Sequence, residues 1–123
     1  MRHLRGTIVD GVGDFRVRMT QYPAAFERAT GEKLFPGTLN LRVDEEVPPR
    51  HHFVLTGAEI NEPSQDLWFE IVRVNGIWAY RIRPYQLRSG GGGHGDDILE
   101  IASRTELRPI LTAASQIEIE LFR

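Results

Sequence analysis

Four groups of residues have types and spacings that can do chemistry. In the run Phe35-Pro36-Gly37-Thr38-Leu39-Asn40-Leu41-Arg42, a Pro-Gly turn leads into an alternating segment. Leu39, Leu41 and Val43 face one way, and Thr38, Asn40 and Arg42 the other. A hydroxyl and an amide oxygen two residues apart on one strand face can share a hard cation or a phosphate. The same pattern also fits an ordinary strand with a wet face. Glu100 interrupts the apolar stretch Ile98-Leu99-Ile101-Ala102, so its carboxylate needs a partner or a task. It could bind a substrate hydroxyl, act as a general base, or sit in a salt bridge. Thr105-Glu106-Leu107-Arg108 reads as a helix start with a cation one turn in, a possible anion site or simply a solvated end. Gly11-Val12-Gly13 is a glycine turn whose N–H groups can approach a phosphate, or only a hairpin turn.

The elements that must position these residues are mostly strands. Gly6 to Val9 and Phe15 to Met19 are expected as strands around the turn 10–14, because Phe15, Val17 and Met19 alternate with Arg16 and Arg18. Pro23 to Thr30 reads as a helix with Pro23 in its first turn and Gly31 as its stop. Asp44 to His52 is expected as a connection, Phe53 to Leu55 as a strand, and Glu59 to Asp66 as another loop. Leu67 to Val74, Asn75-Gly76, and Ile77 to Ile82 form the strongest hairpin signal in the chain. The glycine-rich Ser89 to Gly95 reads as a low-complexity loop, followed by a strand at Ile98 to Ala102. Ser103 or Thr105 is expected to cap a short helix through Leu111, and Ile117 to Phe122 closes as an alternating strand. Six or more closely spaced strands with two short helices predict a small, mostly β barrel in a single domain over 1–123.

Composition narrows the classes. The 123 residues are 41% hydrophobic and 26% charged, as in a soluble globular protein. There is no cysteine, which removes disulfides, thiolate metal sites and a cysteine nucleophile. A net charge of −2 gives no electrostatic case for nucleic acid. No apolar run approaches a membrane span, and the first residues lack a signal-peptide core, so a cytoplasmic location is expected. His3, His51 and His52 have no metal-ligand spacing with an acid and read as surface residues.

In order along the chain, several segments resemble the CTP-dependent riboflavin kinases. They are Gly6-Thr7-Ile8-Val9-Asp10-Gly11-Val12-Gly13, Tyr22 with Phe26, Gly31, Phe35-Pro36-Gly37-Thr38-Leu39-Asn40-Leu41, Asn75-Gly76-Ile77, Arg83-Pro84, Asp97-Ile98-Leu99-Glu100-Ile101 and Leu107-Arg108. The resemblance implies a six-stranded cradle-loop β-barrel that transfers the γ-phosphate of CTP to the 5′-hydroxyl of riboflavin, giving FMN and CDP. It implies that Thr38 and Asn40 coordinate Mg2+. It implies that Gly11, Val12, Gly13, Asp14, Phe15 and Arg16, with Thr105, Glu106, Leu107 and Arg108, hold the nucleotide. It implies that Glu100 contacts the flavin, and the same carboxylate is the candidate catalytic residue. Leu87 stands where the family has a flavin-binding threonine, and the first loop is shorter because Gly13 runs into Asp14-Phe15. Two other readings are a kinase of this fold for another small alcohol and a non-catalytic barrel binding a nucleotide or small ligand. Small-molecule substrates, no nucleic acid or membrane, and a monomer or weak oligomer complete the expectation.

Overall fold

The computed structural model describes residues 1–11, 15–86 and 95–123. Its strands are β1 (Arg2–Val9), β2 (Leu39–Val43), β3 (Phe53–Leu55), β4 (Gln65–Val74), β5 (Ile77–Gln86), β6 (Ile98–Ala102) and β7 (Ile117–Leu121). Its helices are α1 (Phe15–Gln21), α2 (Pro23–Thr30) and α3 (Leu107–Leu111), with a 3₁₀ turn at Gly57–Ile60. The sheet runs β3-β4-β5-β6-β2-β1-β7, and β7 returns to pair with β4. Six strands therefore close into an antiparallel barrel, and β3 lies outside it.

Local chemistry explains the closure. Asn75 (φ 46°) and Gly76 (φ 81°) both take positive φ, as a type I′ turn demands, and Val74 pairs with Ile77 across it. The turn also reaches β7: Asn75 N–H donates to Glu118 O at 2.9 Å, and Glu118 N–H donates to Asn75 Oδ1 at 2.8 Å. The long strand β4 divides its second edge, pairing Leu67–Phe69 with β3 and Val72–Val74 with β7.

Alternation sends side chains into two cores. Leu39, Leu41 and Val43 of β2 join Leu99, Ile101, Val72, Val74, Ile117, Ile119 and Leu121 in one, which α3 covers with Leu107 and Leu111. Tyr80, Ile82 and Ala102 point the other way and pack with Phe69, Leu67 and the helices α1 and α2. Phe26 anchors that second layer, fully buried and edge-on to Phe69 at 5.9 Å. Burying a ring of this size contributes about 1.5–3 kcal/mol.

Most expected elements are found, with three corrections. Phe15–Gln21 is a helix, not a strand. Phe15 and Met19 are one helical turn apart and both buried, whereas Val17, which the strand reading placed beside them, is 54% exposed. The helix stops because Pro23 disfavours helical backbone at Tyr22, which takes φ −127° and ψ 52°. This adds a third helix to the two expected. Second, neither Ser103 nor Thr105 caps α3; Glu106 stands at its N-cap without a side-chain bond. A reciprocal capping box forms at the 3₁₀ turn instead, between Thr56 and Glu59. Third, residues 59–66 are not all loop, since Ile60 ends that turn and Asp66 already belongs to β4. Gly31 ends α2 in the left-handed conformation, as expected.

One buried charge cluster lies where β4 and β5 meet. Glu70 and Arg81 are directly opposite and each 1% exposed. Arg123 closes over them, its Nε and Nη2 donating to the two Glu70 oxygens at 2.8 and 2.9 Å. Arg81 Nη1 stands 3.8 Å from Glu70 Oε1. Burial pulls the Arg81 guanidinium down to about 10, partly offset by Glu70, so it stays charged at neutral pH.

Candidate active site

The β2–β6 register sets Asn40 opposite Glu100, on the face away from Leu39, Leu41, Leu99 and Ile101. That face lies on the helix side of the barrel wall, which Ala102 shares with Phe15 and Met19 of α1. Both polar residues are buried, Asn40 at 7% and Glu100 at 4% exposure. Thr38, one residue before the strand, donates its hydroxyl to Glu100 Oε2 at 3.0 Å. This contact orients the Thr38 oxygen and leaves its lone pairs available on the other side. A cavity of about 300 Å³ opens beside them.

Four segments build its walls. From β1 the chain passes through Asp10 to Gly11, whose backbone lies against the Asn40 amide; a Cβ at Gly11 would stand 1.9 Å from Asn40 Nδ2. A side chain at this point would displace the Asn40 amide from its place. Arg16 faces the cavity from α1. The Phe35-Pro36-Gly37 turn forms a third wall, stitched by Phe35 N–H to Ser103 O at 2.8 Å and Gly37 N–H to Met19 Sδ at 3.3 Å. The fourth is Ser103 with Thr105, Glu106, Leu107 and Arg108. Ser103 is buried there, donating to Trp78 O at 3.2 Å and accepting from Thr105 N–H at 3.4 Å.

The structure thus brings Gly11, Arg16, Thr38, Asn40, Thr105, Glu106, Leu107 and Arg108 to one cavity, with Glu100 one hydrogen bond behind Thr38. Phe15 is not part of its wall; its ring is buried in the second core. Leu107 mainly serves the barrel core, at 4% exposure. Val12, Gly13, Asp14 and Leu87 lie outside the described residues, as does most of the Ser89 to Gly95 tract. Ser103, Phe35 and Met19 were not read as site residues from sequence. In sequence Ser103 reads as a candidate helix cap, which is its one local signal. His51 and His52 are exposed, as expected, and His52 Nδ1 accepts the Ile71 N–H at 2.9 Å.

Among the described residues no cluster of three or more His, Cys, Asp or Glu is arranged for a metal. The cavity instead offers neutral hard oxygens from Thr38 and Asn40 and cations from Arg16 and Arg108. That set fits a divalent ion carried in by a polyphosphate, because such an ion keeps phosphate and water ligands and takes few from protein. No helix among the described residues is long and apolar enough to cross a membrane.

Residues 8–121 match the family model CTP-dep_RFKase, described as "Domain of unknown function DUF120". A riboflavin kinase of Thermofilum pendens is 28% identical over 132 residues, covering 96% of this chain and 57% of that protein. A riboflavin kinase of Pyrobaculum arsenaticum is 30% identical over 118 residues, covering 88% and 54%. The chain spans little more than half the length of these relatives. With the match running through nearly every strand of the barrel and all four cavity walls, the chain belongs to the CTP-dep_RFKase family.

Proposed function

We propose that this chain is a phosphotransferase that moves the γ-phosphate of CTP to the 5′-hydroxyl of riboflavin, with Mg2+ carried on the nucleotide. Family membership and the names of the two relatives support the reaction class. The observation that carries the reading is the convergence of Gly11, Arg16, Thr38, Asn40 and Arg108 on one cavity, with the Glu100 carboxylate adjoining it through Thr38. Phosphoryl transfer asks the protein mainly for positioning and charge neutralisation, and these residue types supply both.

Thr38 and Asn40 would hold the metal, which would supply charge neutralisation to the polyphosphate. Gly11 brings backbone close to the phosphates, and Arg16 and Arg108 balance the remaining negative charge from two segments of the cavity wall. Glu100 orients the acceptor hydroxyl and accepts its proton as the oxygen bonds to the γ-phosphorus. The bond from that phosphorus to the β–γ bridging oxygen breaks, and CDP leaves.

The test is FMN formation from riboflavin with CTP, ATP, GTP and UTP in turn, with magnesium and then with chelator. FMN and CDP from CTP alone, abolished by chelation, are expected. Absence of FMN with every donor overturns the proposal. Phosphorylation of another alcohol from a panel would move the reading to a different acceptor.

A further inference from the structure

Met19 is almost fully buried, at 2% exposure, yet its sulfur does more than fill space. Its Sδ accepts the Gly37 N–H at 3.3 Å, joining α1 to the turn that delivers Thr38. Gly37 holds φ 128°, a conformation for which glycine is suited, and open space surrounds the position of a Cβ. The Gly37 N–H points into a buried thioether, and a donor left there unpaired is costly. Two further contacts fix the ends of the link. Arg18, next to Met19 on α1, pairs with Glu62, and Thr38, next to Gly37, donates to Glu100 at 3.0 Å. Along this path the helix bearing Arg16 is linked through one sulfur to the turn that leads by Thr38 into the strand bearing Asn40.

We infer that Met19 is a positioning residue whose thioether sets the Pro36-Gly37 turn, and through it the Thr38 hydroxyl, relative to Arg16. The inference rests on the proposed phosphotransfer for its kinetic consequence, but not for its structural one. A hydrocarbon of the same shape fills the pocket and leaves the turn without its acceptor. The turn that carries Thr38 is then no longer tied to α1, while the core stays packed and Thr38 keeps its bond to Glu100.

The chain has two methionines, Met1 and Met19, so global replacement at methionine affects one buried site. Norleucine-substituted protein, Met19→Leu and selenomethionine-substituted protein are compared with the natural chain. Exchange of the Gly37 amide, read by NMR without nucleotide, is expected to quicken about tenfold with norleucine or Leu and to stay unchanged with selenium, which still accepts. Melting temperature is expected to fall by a few degrees at most with norleucine or Leu and to hold with selenium. In the kinetic arm, the KM for magnesium–CTP should rise about tenfold in the two hydrocarbon forms and not with selenomethionine. Unchanged Gly37 exchange in the norleucine protein overturns the inference. So does a loss that tracks melting temperature alone. If no form makes FMN, the function proposal fails while the exchange measurement still decides the role of the sulfur.

Discussion

Two strand seams of this barrel bury a polar pair at directly opposed positions, and they do opposite things with it. On β4–β5, Glu70 faces Arg81; on β2–β6, Asn40 faces Glu100. The first pair is charged, points to the side of Val72, Val74 and Ala79, and is covered by Arg123. The second points to the helix side, where a cavity opens beside it and Thr38 bridges to Glu100. Burial of polar groups is thus no mark of chemistry by itself. What separates the seams is access and the kind of partner. Glu70 is held by two close charge-assisted bonds from Arg123. The other seam presents the oxygens of Asn40 and Thr38, with the Glu100 carboxylate behind Thr38, to a space that a polyanion could enter.

The contrast can be broken by exchange of single residues. Glu70→Ala should have the largest effect, lowering stability by about 3–5 kcal/mol in urea denaturation, because it strands Arg81 and Arg123 without their anion. FMN formation per folded molecule should be unchanged; a selective loss of turnover would erase the distinction between the seams. Asn40→Ala should do the reverse, cutting turnover about a hundredfold, which corresponds to about 3 kcal/mol of barrier. Its midpoint in urea should move little, and near-normal turnover would remove Asn40 from the proposed metal site.

The smallest expected effect lies outside both seams. Hydrogen bonding to Arg28, with further bonds from Thr56, holds the Glu59 carboxyl below its ordinary value of 4.5 despite some burial. A depressed carboxylate stabilises the fold above the unfolded value, and that contribution fades as pH falls through the lower folded one. Glu59→Gln should therefore flatten the stability–pH curve below about 4.5, and only slightly, since solvent screens the pair. An unchanged acid limb would show that the capping box at Thr56 does not depend on charge.

The sequence made the strands legible where alternation and a turn agreed, as at Asn75-Gly76 and along Leu39 to Val43. It misled at Phe15 to Met19 because Phe15, Val17 and Met19 satisfy a period of two, while Phe15 and Met19 also satisfy one helical turn. Tertiary packing chose the helix: it sends Phe15 and Met19 into the second core together and leaves Val17 exposed. The site was legible by residue type, since hydroxyl, amide, glycine and arginine announce possible chemistry. Its cohesion was not. The Met19–Gly37 and Phe35–Ser103 bonds join residues far apart in sequence, and no local pattern encodes them. Glu106 displaced Thr105 as the cap because α3 begins late, with Pro109 still inside its first turn.

Strand β3 has a consequence for the life of the protein in a crowded solution. Among the described residues it is the strand left outside the ring, so it carries backbone groups that another chain could pair with. It is three residues long, with Pro48-Pro49 shortly before it and the Thr56–Glu59 box immediately after. Too brief to template a foreign strand, it lets the molecule keep an open edge without inviting polymerisation.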